Sequence, residues 1–458
     1  MLNAPATLGE GGTIVATDVN TVFGAGADLP TTDHSWQDKW HRINKDLYLH
    51  SCSRTALLIV QQEDAGRDPR AGDICLLRQR YPDATFGQAV SGVDVLFWSD
   101  AVDPRPQRTL IQHPLRLDVG PQIPSARLTV RYGKPQPRPT PNALRAKADG
   151  IFGIMQVSDT HLVAGVGKCT DAMDAVGHPI PESEADPLTL SLLQEALDVE
   201  RPDLVVLTGD HLDSADCVDS QSALLNLVAT MIKRLNPYAA VFGNHDDEGK
   251  HALPMSLLQS LPYRYSQAGP SDVDGVRNPP IPIFRHKPSE YLSATLFLLE
   301  SHGQIPSKTQ TLRKDREKSG SNGSHIAFAF LHIPFPKYGD QELCVCAGHR
   351  GEPIESPSYN SHSYDALVRE KVAVVSCGHD HVNDFCGLLD AKRDGLQGDK
   401  HNRLGPWLCY AGSIGFGAYG SYGGKRYHRR VRPFEIDTRE SDVRTWKRTE
   451  LLSTELTS

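Results

Sequence analysis

The chain has 458 residues, 39% apolar and 23% charged, with a formal net charge of −8. This suits a soluble globular protein of two or three domains at about 100–200 residues each, and the acidity argues against general nucleic-acid affinity, since polyanion binders are usually basic. No window approaches ~18 consecutive apolar residues, so no membrane-spanning helix and no membrane partner are expected.

Residues 1–33 are rich in Gly, Ala, Thr and Asp and read as a loosely ordered N-terminal arm. They lack the basic-then-apolar layout of a signal peptide, so a cytoplasmic protein is expected and the Asn322-Gly323-Ser324 sequon should be unused. A gene model truncated at its start would instead leave a vacuolar or secretory route open. Residues 34–132 read as a β-rich domain, structural or partner-binding, with strands expected at 46–50, 56–61, 73–78, 93–98, 108–117 and 126–132 between turn-forming clusters. Residues 133–149 begin with alternating prolines and read as a stiff linker. The nine cysteines are scattered, with only Cys344 and Cys346 close together; reduced thiols in an intracellular compartment are expected rather than a disulfide framework.

Residues 150–450 form the last domain, and its opening stretch organises it. An apolar run, Ile154, Met155 and Val157, ends in Asp159 and His161, which a continuing strand would point to one side. A helix follows, started by Asp186 as cap with Pro187 in its first turn, then a buried strand at 204–207 ending in Thr208-Gly209-Asp210. A second helix at 220–235 leads to a strand at 239–242 that ends in Gly243-Asn244-His245-Asp246. Strand, polar tip and helix thus repeat, which is α/β organisation with the tips beyond the carboxyl ends of the strands. Later strands at 291–299, 326–331 and 372–375 follow, the second ending in His332 and the third in Gly378-His379-Asp380-His381, and a β region after 407 closes the domain.

Taken singly, each tip also reads as a turn, a helix cap or a core histidine. Together, Asp159, His161, Asp210, Asn244, His332, His379 and His381 are seven N/O donors that suit two borderline divalent ions sharing one carboxylate. Such a pair clamps a phosphoryl group and makes hydroxide available near neutral pH.

Asp159-x-His161, Gly209-Asp210, Gly243-Asn244-His245-Asp246, His332 and Gly378-His379-Asp380-His381 resemble the signature of the calcineurin-like metallophosphoesterase superfamily over roughly residues 150 to 437. The stretches 242–249, 301–308 and 379–387 resemble a fungal branch distantly related to purple acid phosphatases. The resemblance implies a four-layer sandwich, two mixed β-sheets flanked by helices. It implies that one metal takes Asp159, His161, Asp210 and His381, and the other Asp210, Asn244, His332 and His379. The ions would be Mn, Fe or Zn. His245 would contact the phosphate and assist the leaving oxygen, with Asp246 either orienting His245 or capping a turn.

Two departures stand out. Purple acid phosphatases place an iron-binding Tyr three residues after the Asp of the Gly-Asp motif, where this chain has Asp213, so no ferric chromophore is expected. The stretch 309–324 is shorter than the helix-bearing segment of relatives, which puts helix cover on one sheet in doubt. A G-x-G-x-x-G match at 412–420 lacks a following helical pattern and reads as a tight loop near the site rather than a dinucleotide fold. The basic run 425–432 reads as a solvated face that could draw in an acidic substrate. The expected function is a phosphatase acting on phosphomonoesters, phosphoproteins or small molecules; the alternatives are a phosphodiesterase or nuclease on the same site, or a catalytically silent scaffold.

Overall fold

The computed structural model describes residues 13–22, 39–44, 47–51, 56–61, 73–81, 90–98, 100–111, 115–116, 125–132, 136, 141–174, 176–180, 184–217, 219–246, 255–267, 279–300, 325–389, 405–451 and 454–457. They belong to two units, divided after Pro139. The sequon at 322–324 and the stretch 309–324 lie outside the described residues.

In the first unit, β1 (Thr13–Val22), β2 (Lys39–Asn44), β3 (Leu47–Ser51), β4 (Ala56–Gln61), β5 (Asp73–Tyr81), β6 (Val90–Phe97), β7 (Arg108–Leu110), β8 (Leu115–Arg116) and β9 (Ser125–Tyr132) form one sheet. Its order is β2-β3-β4-β5-β1-β6-β9-β7, with β8 also on β9. One correction concerns residues 1–33, expected to be a loose arm. They contain β1, which pairs antiparallel with β5 from Thr13↔Tyr81 to Val22↔Asp73. Its β-branched residues, Thr13, Ile14, Val15, Thr17, Val19, Thr21 and Val22, favour extended backbone, but their alternation is broken by a bulge between Ala16 and Asp18.

The second unit begins inside the stretch read as linker, with β10 (Leu144–Arg145). Then come β11 (Ile151–Val157), α1 (Ala185–Glu200), β12 (Leu204–Thr208), α2 (Ser220–Lys233), β13 (Tyr238–Val241) and the single turn α3 (Met255–Leu258). The chain continues through β14 (Ile281–Phe284), β15 (Leu292–Leu298), β16 (Ile326–Phe330), β17 (Cys344–Ala347), α4 (Ser363–Arg369), β18 (Val374–Cys377), β19 (Cys386–Leu388) and β20 (Trp407–Tyr410). A small hairpin of β21 (Ser421–Tyr422) and β22 (Lys425–Arg426) precedes β23 (Arg430–Asp437), β24 (Asp442–Thr449) and β25 (Thr454–Thr457).

These strands make two mixed sheets, β13-β12-β11-β23-β24-β25 and β10-β14-β15-β16-β18-β20-β19-β17. The core lies between them: Phe152, Ile154, Val206, Val241 and Phe434 from the first meet Ile283, Leu296, Phe328, Phe330 and Val374 from the second. The strands β11, β12 and β13 are mutually parallel, so crossovers are required, and α1 and α2 supply them. A second cluster, including Tyr338, Tyr364, Leu367 and Tyr410, covers the far face of the eight-stranded sheet with α4. The result is the expected sandwich of two mixed sheets flanked by few helices.

Local differences have local causes. Glu184, not Asp186, precedes α1, and no side chain caps it; the Asp186 carboxylate instead accepts from the Val163 amide at 3.1 Å. Asp219 does cap α2, accepting from Ser222 at 2.9 Å. Thiol chemistry also differs from expectation. Cys386 and Cys409 form a disulfide, because β19 and β20 pair antiparallel with these two residues opposite each other. A register across strands cannot be read from cysteine spacing. No helix among the described residues is long and apolar enough to cross a membrane.

Candidate metal centre

The strands β11, β12 and β13 end side by side, and each runs out into a polar tip. Asp159 and His161 follow β11, Asp210 follows β12, and Asn244 to Asp246 follow β13. The second sheet supplies His332 after β16 and His379 and His381 after β18. β11 stops at Val157, so strand periodicity does not aim Asp159 and His161. Both instead adopt left-handed backbone, with φ of 56° and 45°, as do Asp210 at 49° and His379 at 75°. Such conformations are costly outside glycine and cluster at functional sites.

The glycines beside them give the room. A Cβ on Gly378 would overlap the Ser158 hydroxyl and the Asp159 carboxylate, and one on Gly243 would overlap Asp210. Only glycine lets the tips of the two sheets close to this distance.

The side chains converge in two groups that share Asp210: Asp159, His161, Asp210 and His381, and Asp210, His332 and His379, the ligand atoms of each lying within 4.8 Å of one another. His161 Nε2 approaches Asp210 Oδ2 at 3.8 Å, and His381 Nε2 approaches Asp159 Oδ1 at 3.5 Å. His332 Nε2 is 3.0 Å from Asp210 Oδ2 and 3.1 Å from Asn244 Oδ1, which brings Asn244 to the second group. All seven sequence-derived donors therefore meet in one place. A third group, Glu355, His379 and Asp380, adjoins them on its exposed side.

Backbone carbonyls aim two of the rings. His332 Nδ1 donates to the Thr208 carbonyl at 2.9 Å, and His381 Nδ1 to the Tyr419 carbonyl at 3.3 Å, so each presents Nε2 inward. The Asp159 carboxylate is further fixed by the His379 amide, 3.2 Å from both oxygens.

Charge follows burial and proximity. Burial would raise the Asp210 and Asp159 carboxyls, but His332 beside the former and His381 beside the latter hold both below the ordinary carboxylate range. Burial would lower His332, but Asp210 outweighs it and pushes the imidazole up to about 10. Burial, with His381 nearby, takes His161 down to about 3; burial, with His332 nearby, takes His379 down to about 4. These two stay neutral, and the Nε2 of each is buried with no hydrogen-bond partner. Orphaned imidazole nitrogens facing carboxylates are the donor set a borderline divalent cation needs, and the residues present fit such an ion.

His245 is half-buried beside this cluster, its ring 5.0 Å from that of His161, and its amide donates to Asp210 Oδ1 at 2.9 Å. Asp246 does not orient it. The Asp246 carboxylate accepts from the backbone amides of His211, Leu212 and Gly243 at 2.8, 3.1 and 2.9 Å, tying the β12 and β13 tips together. Asp213 belongs to neither donor group.

Tyr419 of the Gly-rich loop adjoins the site, together with Glu352, which carries no signal in the sequence. The Tyr419 ring stacks on His381 with centroids 4.0 Å apart, and its hydroxyl donates to Glu352 Oε2 at 2.8 Å. Glu352 Oε1 in turn accepts from the Val382 amide at 2.9 Å. The Gly-rich loop does lie at the site, with the Ser413 hydroxyl and the Gly415 amide on the Asp159 carbonyl. The basic run behind it is not a solvated face throughout. Arg429, Arg430 and Arg432 are buried, because carbonyl groups and Asp384 take up their donors: Arg429 bonds Tyr419, Ala418 and Thr170, Arg430 bonds Asp384, and Arg432 bonds the Tyr410 and Asp384 carbonyls. Only its start, Lys425 and Arg426, is exposed.

The calcineurin-like phosphoesterase family matches residues 152–383, a range that contains every one of the seven donors. The chain is 34% identical over 388 residues to the phosphatase DCR2 of Saccharomyces cerevisiae, covering 78% of this chain and 64% of that protein. It is 30% identical over 366 residues to an Arabidopsis thaliana protein named "Probable inactive purple acid phosphatase 28", covering 71% of this chain and 87% of that protein. Among solved structures, the purple acid phosphatase PPD1 of yellow lupin aligns over 92% of this chain and 73% of its own, at 11% identity and a TM-score of 0.39. This chain belongs to the calcineurin-like phosphoesterase family.

Proposed function

We propose that this calcineurin-like phosphoesterase is a metal-dependent phosphatase that hydrolyses phosphomonoesters, phosphoproteins among them. The observation that carries the reading is the Asp210 carboxylate, common to both donor groups and flanked by the orphaned nitrogens of His161 and His379. One bridging carboxylate with neutral imidazoles on either side suits two divalent ions, of the Mn, Fe or Zn type. When bound, such a pair supplies Lewis acidity and a water acidified to near neutral pKa.

The chain's own residues do the rest. Asp159, His161 and His381 would hold one ion, Asn244, His332 and His379 the other, and Asp210 both. His245, which stands at the edge of the cluster and belongs to neither donor group, would protonate the leaving oxygen of the ester. Asp246 keeps Asn244 and His245 in place by fixing the backbone on either side. The yeast relative, by its name a phosphatase, supports the same reading, and the complete donor set speaks against a silent scaffold.

The test is an assay of the metal-stripped chain with a panel of phosphomonoesters and phosphodiesters, with and without Mn²⁺ or Zn²⁺. Monoester turnover restored by metal is the expected result. Preference for diesters would transfer the site to a phosphodiesterase or nuclease, and metal binding without turnover on either class would leave a binding scaffold.

A further inference from the structure

Cysteine is among the most buried residue types, and the free thiols Cys169, Cys217 and Cys377 follow that rule. Cys344 and Cys346 do not. Both are exposed on β17, the edge strand of the eight-stranded sheet. The register with β19 shifts between Val345 and Ala347, so Cys346 has no partner opposite it and the strand bends there. Cys346 Sγ lies 3.4 Å from the Cys344 carbonyl, which turns its sulfur back toward Cys344. In a regular strand, residues two apart have Cα atoms about 6.6 Å apart, within the range a disulfide spans.

We propose that Cys344 and Cys346 form a reversible dithiol–disulfide site whose co-substrate is a small-molecule disulfide. The Cys344 thiolate attacks the small disulfide, forming a mixed disulfide and releasing one thiolate, which takes up the Cys344 proton. The Cys346 thiol then loses its proton and attacks the Cys344 sulfur, closing the Cys344–Cys346 bond and expelling the second small thiol with that proton. The two protein thiols are oxidised and the one small disulfide is reduced to two thiols, so electrons and protons balance. A metal site is the weaker reading of the same pair, because no third His, Asp or Glu joins them in a donor group among the described residues. The site is independent of the phosphatase reading.

The full chain, reduced and then exposed to oxidised glutathione, should be alkylated and mapped by peptide mass spectrometry, which also separates this pair from Cys386 and Cys409. The peptide holding Cys344 and Cys346 should lose two hydrogen atoms, retain no glutathione, and recover both thiols with dithiothreitol. Cys346→Ser, exposed and away from the core, should trap glutathione on Cys344 at least about tenfold more than the wild type, since intramolecular closure no longer competes. Equal retention of glutathione in wild type and variant would overturn the proposal, as would covalent dimers linked through these residues. Protection of both thiols from alkylation by zinc alone would replace it with a metal site.

Discussion

Tyr419 holds His381 from three sides: its ring lies 4.0 Å from the imidazole, its carbonyl accepts from Nδ1, and its hydroxyl lies 3.3 Å from the His381 amide. The hydroxyl is in turn anchored by Glu352. Tyr419→Phe keeps the stack and the carbonyl but drops the anchor. Outer partners of metal-bound histidines are worth about 10–100-fold in affinity, so the variant should bind one equivalent of Zn²⁺ or Mn²⁺ more weakly by up to that factor. The second equivalent should be unchanged in a calorimetric titration. Equal weakening of both equivalents, or of neither, would count against a role confined to His381.

Asp210→Asn should lose both metals, because the shared carboxylate becomes a neutral amide that balances less cationic charge. His245→Ala should leave metal content near normal and lower turnover by ~10²–10⁴, the range for acid–base groups. Elemental analysis beside steady-state kinetics separates the two, and metal loss in His245→Ala would make that residue a ligand.

The purified protein should be colourless in the visible. Asp213 stands outside both donor groups, and the phenol of Tyr419, beside His381, is committed to Glu352. A chelator should abolish phosphatase turnover, and added Mn²⁺ or Zn²⁺ should restore it with an optimum nearer neutral than acidic pH. A charge-transfer band in the visible spectrum would contradict this assignment.

Gly243→Ala should cost metal binding without replacing a ligand, since its Cβ would displace Asp210 and crowd His332. Overpacking of this kind costs about 1–3 kcal/mol or more, read as a lower Tm together with reduced metal content. An alanine variant with full metal stoichiometry would show that the tips have slack.

Asp384 carries the clearest dependence on pH away from the metal donors. Burial would raise its carboxyl, but Arg430 at 2.5 Å and Lys447 at 3.0 Å hold it below the ordinary carboxylate range. A depressed folded-state pKa contributes stability that is present above the unfolded value of about 3.9 and is lost as pH falls through the folded one. Asp384→Asn should therefore lower stability at neutral pH by about 3–5 kcal/mol, since the buried Arg430 guanidinium loses its counter-ion. The difference from wild type should shrink below pH 4 in denaturant titrations.

The seven donors were legible because each follows a buried strand, where a polar residue needs a reason to be. What the sequence leaves hidden is how distant segments meet. Tyr419 acts on His381 mainly through a backbone carbonyl and a ring face, neither of which marks a motif. Asp246 looked like a partner for its neighbour His245, yet its bonds go to backbone amides of its own tip and of the β12 tip. The run 425–432 shows its charge but not that Arg429 to Arg432 turn inward onto carbonyls and Asp384. Short strands such as β17 and β19 lack enough residues for periodicity to register, and with them went the Cys386–Cys409 pairing.

The insertion of β23 beside β11 has a consequence for how the chain is made. Ile151 pairs with Asp437 and Gln156 with Arg432, so the strand that launches Asp159 gains its second neighbour only after nearly all of the unit has left the ribosome. Until then an emerging chain exposes one flank of β11, and His332, His379 and His381 arrive late as well. The sheet that carries Asp159 and Asp210 is therefore completed only after all seven donors have been synthesised.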